Sequence, residues 1–437
     1  MSLNNKHILQ IVIKNTSTLD FTIPLFWKMK QEYPNVQISI LYLAFSKKEI
    51  LREGGFYSNF FKSHNINEYD LSDFIKWPKN RTNLGKNSKA DRLSLYEIKK
   101  NIKRFKISIL KDIFIISLEK INEYFLQNIV NYRAIIRKIN PDIYFFDIRK
   151  NSKFIGKNKL YKIFYEQEKP LYLIPHAPHM RDPISEFVDF DKCNQLPNFC
   201  RFWIPFKYGT PWLALTEDKK DQFFISGYPG FDDDWLTYCR NLDNHKNEEI
   251  NILFIIRRFL SKGVERSDEV DSFIIDYNDF MRPLAMIKES ISRIDRDINV
   301  IIKPHPGNNY SDLTKAMNES GLKKWEISHE PMYASLPKVD IAISLASTTL
   351  LTPAFSNIPT IILNTDLQRQ IHEIWVDLKD MYTGMHFYLD DNSKFEQTLL
   401  TIINENNFHQ KEEHLRNFYD NNASELIIKR IRNELIK

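Results

Sequence analysis

Residues 299–363 constrain the fold more than any other stretch of this chain. They open with NVIIKPHPGNN, a β-branched apolar run that meets two prolines flanking His305 and then a Gly-Asn-Asn turn. That pattern reads as a buried strand ending at a functional loop. The stretch closes with DIAISLASTTLLTPAFSNIPTIIL, in which an apolar strand at 341–343 breaks into Ser344, Ser347, Thr348 and Thr349 ahead of an apolar helical segment. A third strand follows Pro359. The two loops are separated by roughly forty residues, enough for βαβ crossovers between parallel strands.

The small polar run therefore falls at a helix start. Such a start presents backbone N–H groups and the positive end of the helix dipole, so hydroxyl residues there can cradle a phosphate. His305 can add a charge-assisted contact. In an open α/β sheet, ligands bind at the carboxyl ends of the strands, where both loops are expected to lie.

Lys303-Pro304-His305-Pro306 followed by Ser347-Thr348-Thr349 resembles the paired HP and Ser/Thr motifs of bacterial surface-polysaccharide transferases with the GT-B fold. These include glycerophosphotransferases that use CDP-glycerol, and capsular sialic acid and Kdo transferases that use CMP-sugars. The resemblance implies an α/β chain with two Rossmann-like domains facing across a cleft, with the His and the hydroxyl cluster holding the donor phosphate. One departure is visible. Sugar-nucleotide GT-B enzymes commonly carry a ribose-binding Glu in the helix after the hydroxyl cluster, and here that place reads Leu351-Thr352-Pro353, which favours a cytidine nucleotide over a UDP-sugar. Asn357 stands where a helix-ending glycine is usual, and Asn tolerates the same left-handed conformation.

A chain of 437 residues predicts two domains. The division is expected near residue 240, giving an acceptor-side domain over 1–240 and a donor-binding domain with a C-terminal helix over 241–437. The polar segment 241–249 has the charged character of a linker. No apolar run approaches the length of about twenty residues that a membrane span needs, and the first residues lead straight into a strand-like run, so a cytoplasmic protein is expected. Cys193, Cys200 and Cys239 lack metal or redox spacing and read as reduced thiols.

Net charge is +5, but residues 76–162 hold about 22 Lys and Arg against about 7 Asp and Glu. This stretch is either a solvated helical face or a patch for an anionic membrane or glycan. Nucleic acid is not the expected partner, because no recognised motif accompanies the charge.

Taken in order, a strand at 7–13 runs into Thr16 and Ser17, which could cap the following helix or contact substrate. Pro24 is expected in the first turns of that helix. A second strand is expected at 36–43, and the segment 63–139 reads as largely helical. Asp147 ends a strand at 142–147, and His176 and His179 follow a strand at 170–175. The His-x-x-His can be a proline-fixed turn, a pair of metal ligands lacking a local third partner, or a general base. In the resembling families a His directly after a strand in this region is thought to act as base.

Gly227-Tyr228-Pro229-Gly230-Phe231-Asp232 resembles the Gly-Tyr-Pro-x-x-Asp signature that these transferases place at the end of the first domain. Beyond it, a strand at 251–256 ends in Arg257 and Arg258, whose guanidinium forks suit a diphosphate. Glu330 and Met332 precede the strand at 341–343, where similar families contact the nucleotide base. The expected activity is transfer of a sugar or polyol phosphate from a nucleotide-activated donor to a glycan or lipid-linked acceptor, with no metal or other cofactor. The alternatives are a UDP-sugar 2-epimerase of the same fold and a non-catalytic nucleotide- or glycan-binding scaffold.

Overall fold

The computed structural model describes residues 2–12, 17–43, 55–74, 130–147, 156–174, 198–204, 221–242, 249–264, 274–305, 307–345, 347–364, 386–388, 392–405 and 421–436. Thr16, His176, His179, Pro306, Cys193 and most of the basic stretch lie outside these residues. Ser17, Asp147 and Thr348 are placed by their backbone alone.

The chain divides into two compact units, one comprising Met1–Ser226 with Ser424–Lys437 and the other Gly227–Ala423. The first crossing comes at Ser226, ahead of the position near 240 that composition indicated. The final helix, Ala423–Ile436, falls almost wholly in the first unit. Its Glu434 accepts hydrogen bonds from Tyr172 Oη at 2.6 Å and Arg201 Nε at 2.8 Å. Those partners are more than two hundred residues away in the chain, so no local pattern could reveal them.

The first unit holds a seven-stranded sheet in the order β3-β2-β1-β4-β5-β6-β7. Its strands are β1 (His7–Val12), β2 (Gln37–Tyr42), β3 (Asn67–Asp70), β4 (Ile143–Asp147), β5 (Leu171–Ile174), β6 (Cys200–Ile204) and β7 (Phe223–Ile225). Every neighbouring pair is parallel.

Two expectations are corrected here. The segment 63–139, expected to be largely helical, carries β3, whose Asn67 pairs with Ser39 of β2, as well as the helix Tyr132–Ile139. An edge strand of four residues with one apolar-faced side chain has no readable periodicity; it is made by backbone pairing with the strand beside it. Pro24 lies well inside the helix Ser17–Glu32 instead of in its first turn. Interior proline costs about 3 kcal/mol, but Phe21, Leu25 and Phe26 around it are fully buried, each contributing about 1.5–3 kcal/mol. Burial therefore outweighs the lost hydrogen bond.

The second unit holds a six-stranded sheet in the order β10-β9-β8-β11-β12-β13, again parallel throughout. Its strands are β8 (Ile250–Ile255), β9 (Ile298–Lys303), β10 (Trp325–Ile327), β11 (Ile341–Ser344), β12 (Thr360–Asn364) and β13 (His386–Tyr388). Taken from its own first strand, this is the doubly wound order 3-2-1-4-5-6, in which the winding reverses between β8 and β11. The core against one face of this sheet comes from residues such as Phe254, Phe280, Leu284, Val300 and Ile343.

Cys200 and Cys239 are buried free thiols, and burial pushes the Cys239 thiol well above its ordinary range. Among the described residues no helix is long and apolar enough to cross a membrane.

Candidate functional site

Three adjacent strands of the second sheet end on one register row. Ser344, the last residue of β11, pairs with Ile255, the last of β8, and Ile255 pairs with Lys303, the last of β9. One further bond extends the ladder on each side, from Ile256 N–H to Lys303 O at 3.0 Å and from Leu345 N–H to Ile255 O at 3.1 Å. Neighbouring strands lie about 4.8 Å apart, so the loops carrying Arg257 and Arg258, His305, and Ser347 to Thr349 leave the sheet side by side. They do so around the point where the strand order reverses.

The loop after β9 is built around His305 and Gly307. Gly307 N–H donates to His305 Nδ1 at 3.0 Å, so the neutral ring carries its proton on Nε2. A Cβ at Gly307 would stand 3.2 Å from Arg258 Cδ and 3.2 Å from His305 Nδ1. A side chain at 307 would therefore crowd both the Arg258 stem and the imidazole. His305 and Arg258 are exposed, and Arg257 is half-buried.

Asn308, in the Gly-Asn-Asn turn, bonds to the neighbouring loop. Its Oδ1 accepts from Phe259 N–H at 3.2 Å, and its Nδ2 donates to Arg257 O at 3.1 Å. The signal available in sequence was the doubled Asn: Asn309 caps the helix Tyr310–Ser320 through Ser311 N–H at 3.1 Å, which leaves Asn308 without a local task.

Lys303, half-buried, ends β9. Its ammonium donates to the backbone carbonyl of Glu330, tying the end of β9 to the loop after β10. Glu330 N–H in turn donates to Ser328 Oγ at 3.3 Å. The structure thus brings together Arg257, Arg258, His305 and the hydroxyl cluster, and it uses Lys303 and Glu330 to hold the adjoining loop.

The hydroxyl cluster opens a 3-10 turn, Thr348–Leu350, that passes directly into the short helix Leu351–Phe355. Ser347 Oγ accepts from Thr349 N–H at 3.3 Å, and Ser344 Oγ accepts from Ser347 N–H at 3.3 Å. These backbone donors are held at long range by neighbouring hydroxyls. A phosphate oxygen entering here would exchange those contacts for charge-assisted ones, which are roughly twice as strong. The far end closes as the sequence indicates. Asn357 adopts φ 59, with Asn357 N–H on Ala354 O at 3.2 Å and Ile358 N–H on Pro353 O at 3.0 Å, the bond pair of a left-handed helix cap.

The Gly-Tyr-Pro-x-x-Asp segment opens the second unit and props this helix from behind. Phe231 stacks on Phe355 with ring centroids 4.4 Å apart. A Cβ at Gly230 would fall 2.0 Å from Tyr333 Oη, so only glycine admits the tyrosine. Gly227 has φ 76, also a glycine conformation. Asp232 is buried, and its Oδ1 accepts from Ala423 N–H at 2.7 Å. The signature is accounted for by packing and capping.

In the first unit, β1 and β4 pair through Ile11 and Phe146, and β4 and β5 through Asp147 and Ile174. Asp147 ends β4, and Ser17 begins the helix that follows β1. Their side chains lie outside the described residues. Among the described residues no group of three or more His, Cys, Asp or Glu could hold a metal ion.

No protein-family model matches the chain, and no curated protein matches it. Among solved structures it is similar to S. aureus MnaA in complex with UDP, with a TM-score of 0.54 and 13% identity over 98% of this chain and 97% of that one. It is similar as well to a UDP-N-acetylglucosamine 2-epimerase, with a TM-score of 0.54 and 12% identity over 99% and 97%. The fold is GT-B. A glycosyltransferase from Rickettsia africae ESF-5 is also matched, at a TM-score of 0.46 and 14% identity over 99% of each chain. In GT-B terms, the edge that carries Arg257, Arg258, His305 and Ser347 belongs to the second Rossmann-like unit.

Proposed function

We propose that this GT-B protein is a nucleotide-sugar-dependent glycosyltransferase. It would move a sugar or polyol phosphate from a nucleotide-activated donor to a bacterial surface glycan or its lipid-linked precursor. The observation that carries the reading is the single register row on which β9, β8 and β11 end. It sets the loops that carry Arg257 and Arg258, His305 and the hydroxyl cluster around the reversal point of a doubly wound sheet. These groups suit a departing phosphate, whose developing charge they would stabilise without a metal. Leu351-Thr352-Pro353 in place of a ribose-binding Glu makes cytidine nucleotides the first donors to test.

A thermal-shift screen with CMP, CDP, UDP and GDP tests the nucleotide reading, because a ligand of the folded state raises the melting temperature according to its affinity. A shift with cytidine nucleotides above all is the expected result. Indifference to all four would overturn the assignment.

The second reading, a UDP-sugar 2-epimerase, is favoured by one observation: the UDP-N-acetylglucosamine 2-epimerase with which the chain shares its fold over nearly its full length. The two readings separate in one experiment. Incubation with a UDP-N-acetylhexosamine alone would invert C2 if the protein is an epimerase, whereas a transferase would release nucleotide when an acceptor is added.

The basic stretch 76–162 would hold the enzyme at an anionic membrane surface. Flotation with anionic vesicles is expected to weaken as salt rises, because screening shortens the reach of charge to about 8 Å at physiological ionic strength. Flotation unaffected by salt and by anionic lipid would leave the stretch a solvated surface.

A further inference from the structure

The loop that carries the arginines and the loop that carries the imidazole come from strands 48 positions apart in register, Ile255 and Lys303 being partners. Something must keep them matched beyond the end of the ladder. The last ladder bond on this side is Ile256 N–H to Lys303 O. Beyond it, the two loops are joined through a side chain.

Asn308 takes over that task with its side chain. Its Nδ2 donates to Arg257 O at 3.1 Å and its Oδ1 accepts from Phe259 N–H at 3.2 Å, so one amide grips the peptide groups on both sides of Arg258. Its own N–H donates to His305 O at 2.9 Å, which joins the same residue to the imidazole loop. Asn308 is buried, where hydrogen bonds are shielded from competing water. Phe259, the residue gripped after Arg258, is itself anchored by stacking on Phe280 at 4.2 Å.

We infer that Asn308 is the positioning residue of the phosphate site, fixing the arginine loop against the histidine loop. This rests on the reading of that edge as a phosphate site. The chemistry requires asparagine, since the residue must donate and accept at once from a short stem. An ionised Asp cannot donate to Arg257 O, and Ser offers a single atom that cannot reach both peptide groups. Gly307 completes the device, since the Arg258 stem lies where a Cβ would crowd it.

The test measures binding of CDP, UDP and inorganic pyrophosphate to the full chain by calorimetry, with melting temperature recorded alongside. Asn308→Ala is expected to weaken affinity by about tenfold or more, the scale on which misplaced binding groups lose function. Asn308→Ser is expected to do the same and carries the test if the alanine variant does not fold. The decisive readout is a cycle with Arg257→Ala/Arg258→Ala. If Asn308 acts by placing the guanidinium groups, Asn308→Ala in that background costs less than about twofold, because the two changes share one interaction.

Affinity equal to wild type in both Asn308 variants overturns the inference and leaves the phosphate site standing. So does a full additive loss in the background that lacks the arginines, which marks a merely structural residue. Wild-type protein that binds none of the three probes overturns the phosphate reading and this inference with it.

Discussion

Replacing His305 with alanine is expected to weaken nucleotide binding by about 1–3 kcal/mol, roughly five- to 150-fold. The imidazole sits on the loop after β9 with Nδ1 accepting from Gly307 N–H at 3.0 Å, so Nε2 carries the neutral ring's proton and is the nitrogen able to donate to a phosphate oxygen. The ring is exposed, so its loss removes little packing, and the melting temperature without ligand should barely change. A drop in affinity for every nucleotide tested is the expected pattern, because the contact is to phosphate and does not read the base. Equal affinity of variant and wild type for CMP, CDP, UDP and GDP would remove His305 from the site.

The largest expected effect is on chemistry. His176→Ala should lower turnover about 10²- to 10⁴-fold, the range for loss of a general base, while donor affinity changes little. The separation has a simple origin. His176 follows β5 in the first unit, whereas the edge proposed to bind phosphate belongs to the second. A neutral imidazole can accept the proton of an attacking acceptor hydroxyl near physiological pH, and His176 stands two residues beyond the end of the strand. His179→Ala should cost less. Wild-type turnover in both variants, with a verified donor and acceptor, would place the base elsewhere and make Asp147, the last residue of β4, the next to replace.

How much was legible beforehand differs from residue to residue. The strand from Ile298 to Lys303, the polar break after Ser344 and the left-handed Asn357 could all be read directly, because each depends on its own neighbours in the chain. A run of β-branched residues ends where proline removes a donor. An Asn substitutes for Gly where φ must be positive. Short edge strands could not be read this way. β3, β10 and β13 have four, three and three residues, too few for a pattern, and exist because a longer strand beside each offers backbone partners.

By itself, then, the amino-acid sequence determined that this chain alternates strands and helices, that its C-terminal half carries polar loops at strand ends, and which residue types stand on them. Only the tertiary structure decided their company. Strand order put β8 between β9 and β11, which brought the arginines between the imidazole and the hydroxyl cluster. It turned Lys303 onto the Glu330 carbonyl, set Asn308 across the peptides flanking Arg258, and returned the last helix to the first unit. The physical reason is that hydrophobic periodicity reports how deeply a segment is buried, whereas a hydrogen bond between residues about fifty positions apart depends on which segment lies beside it.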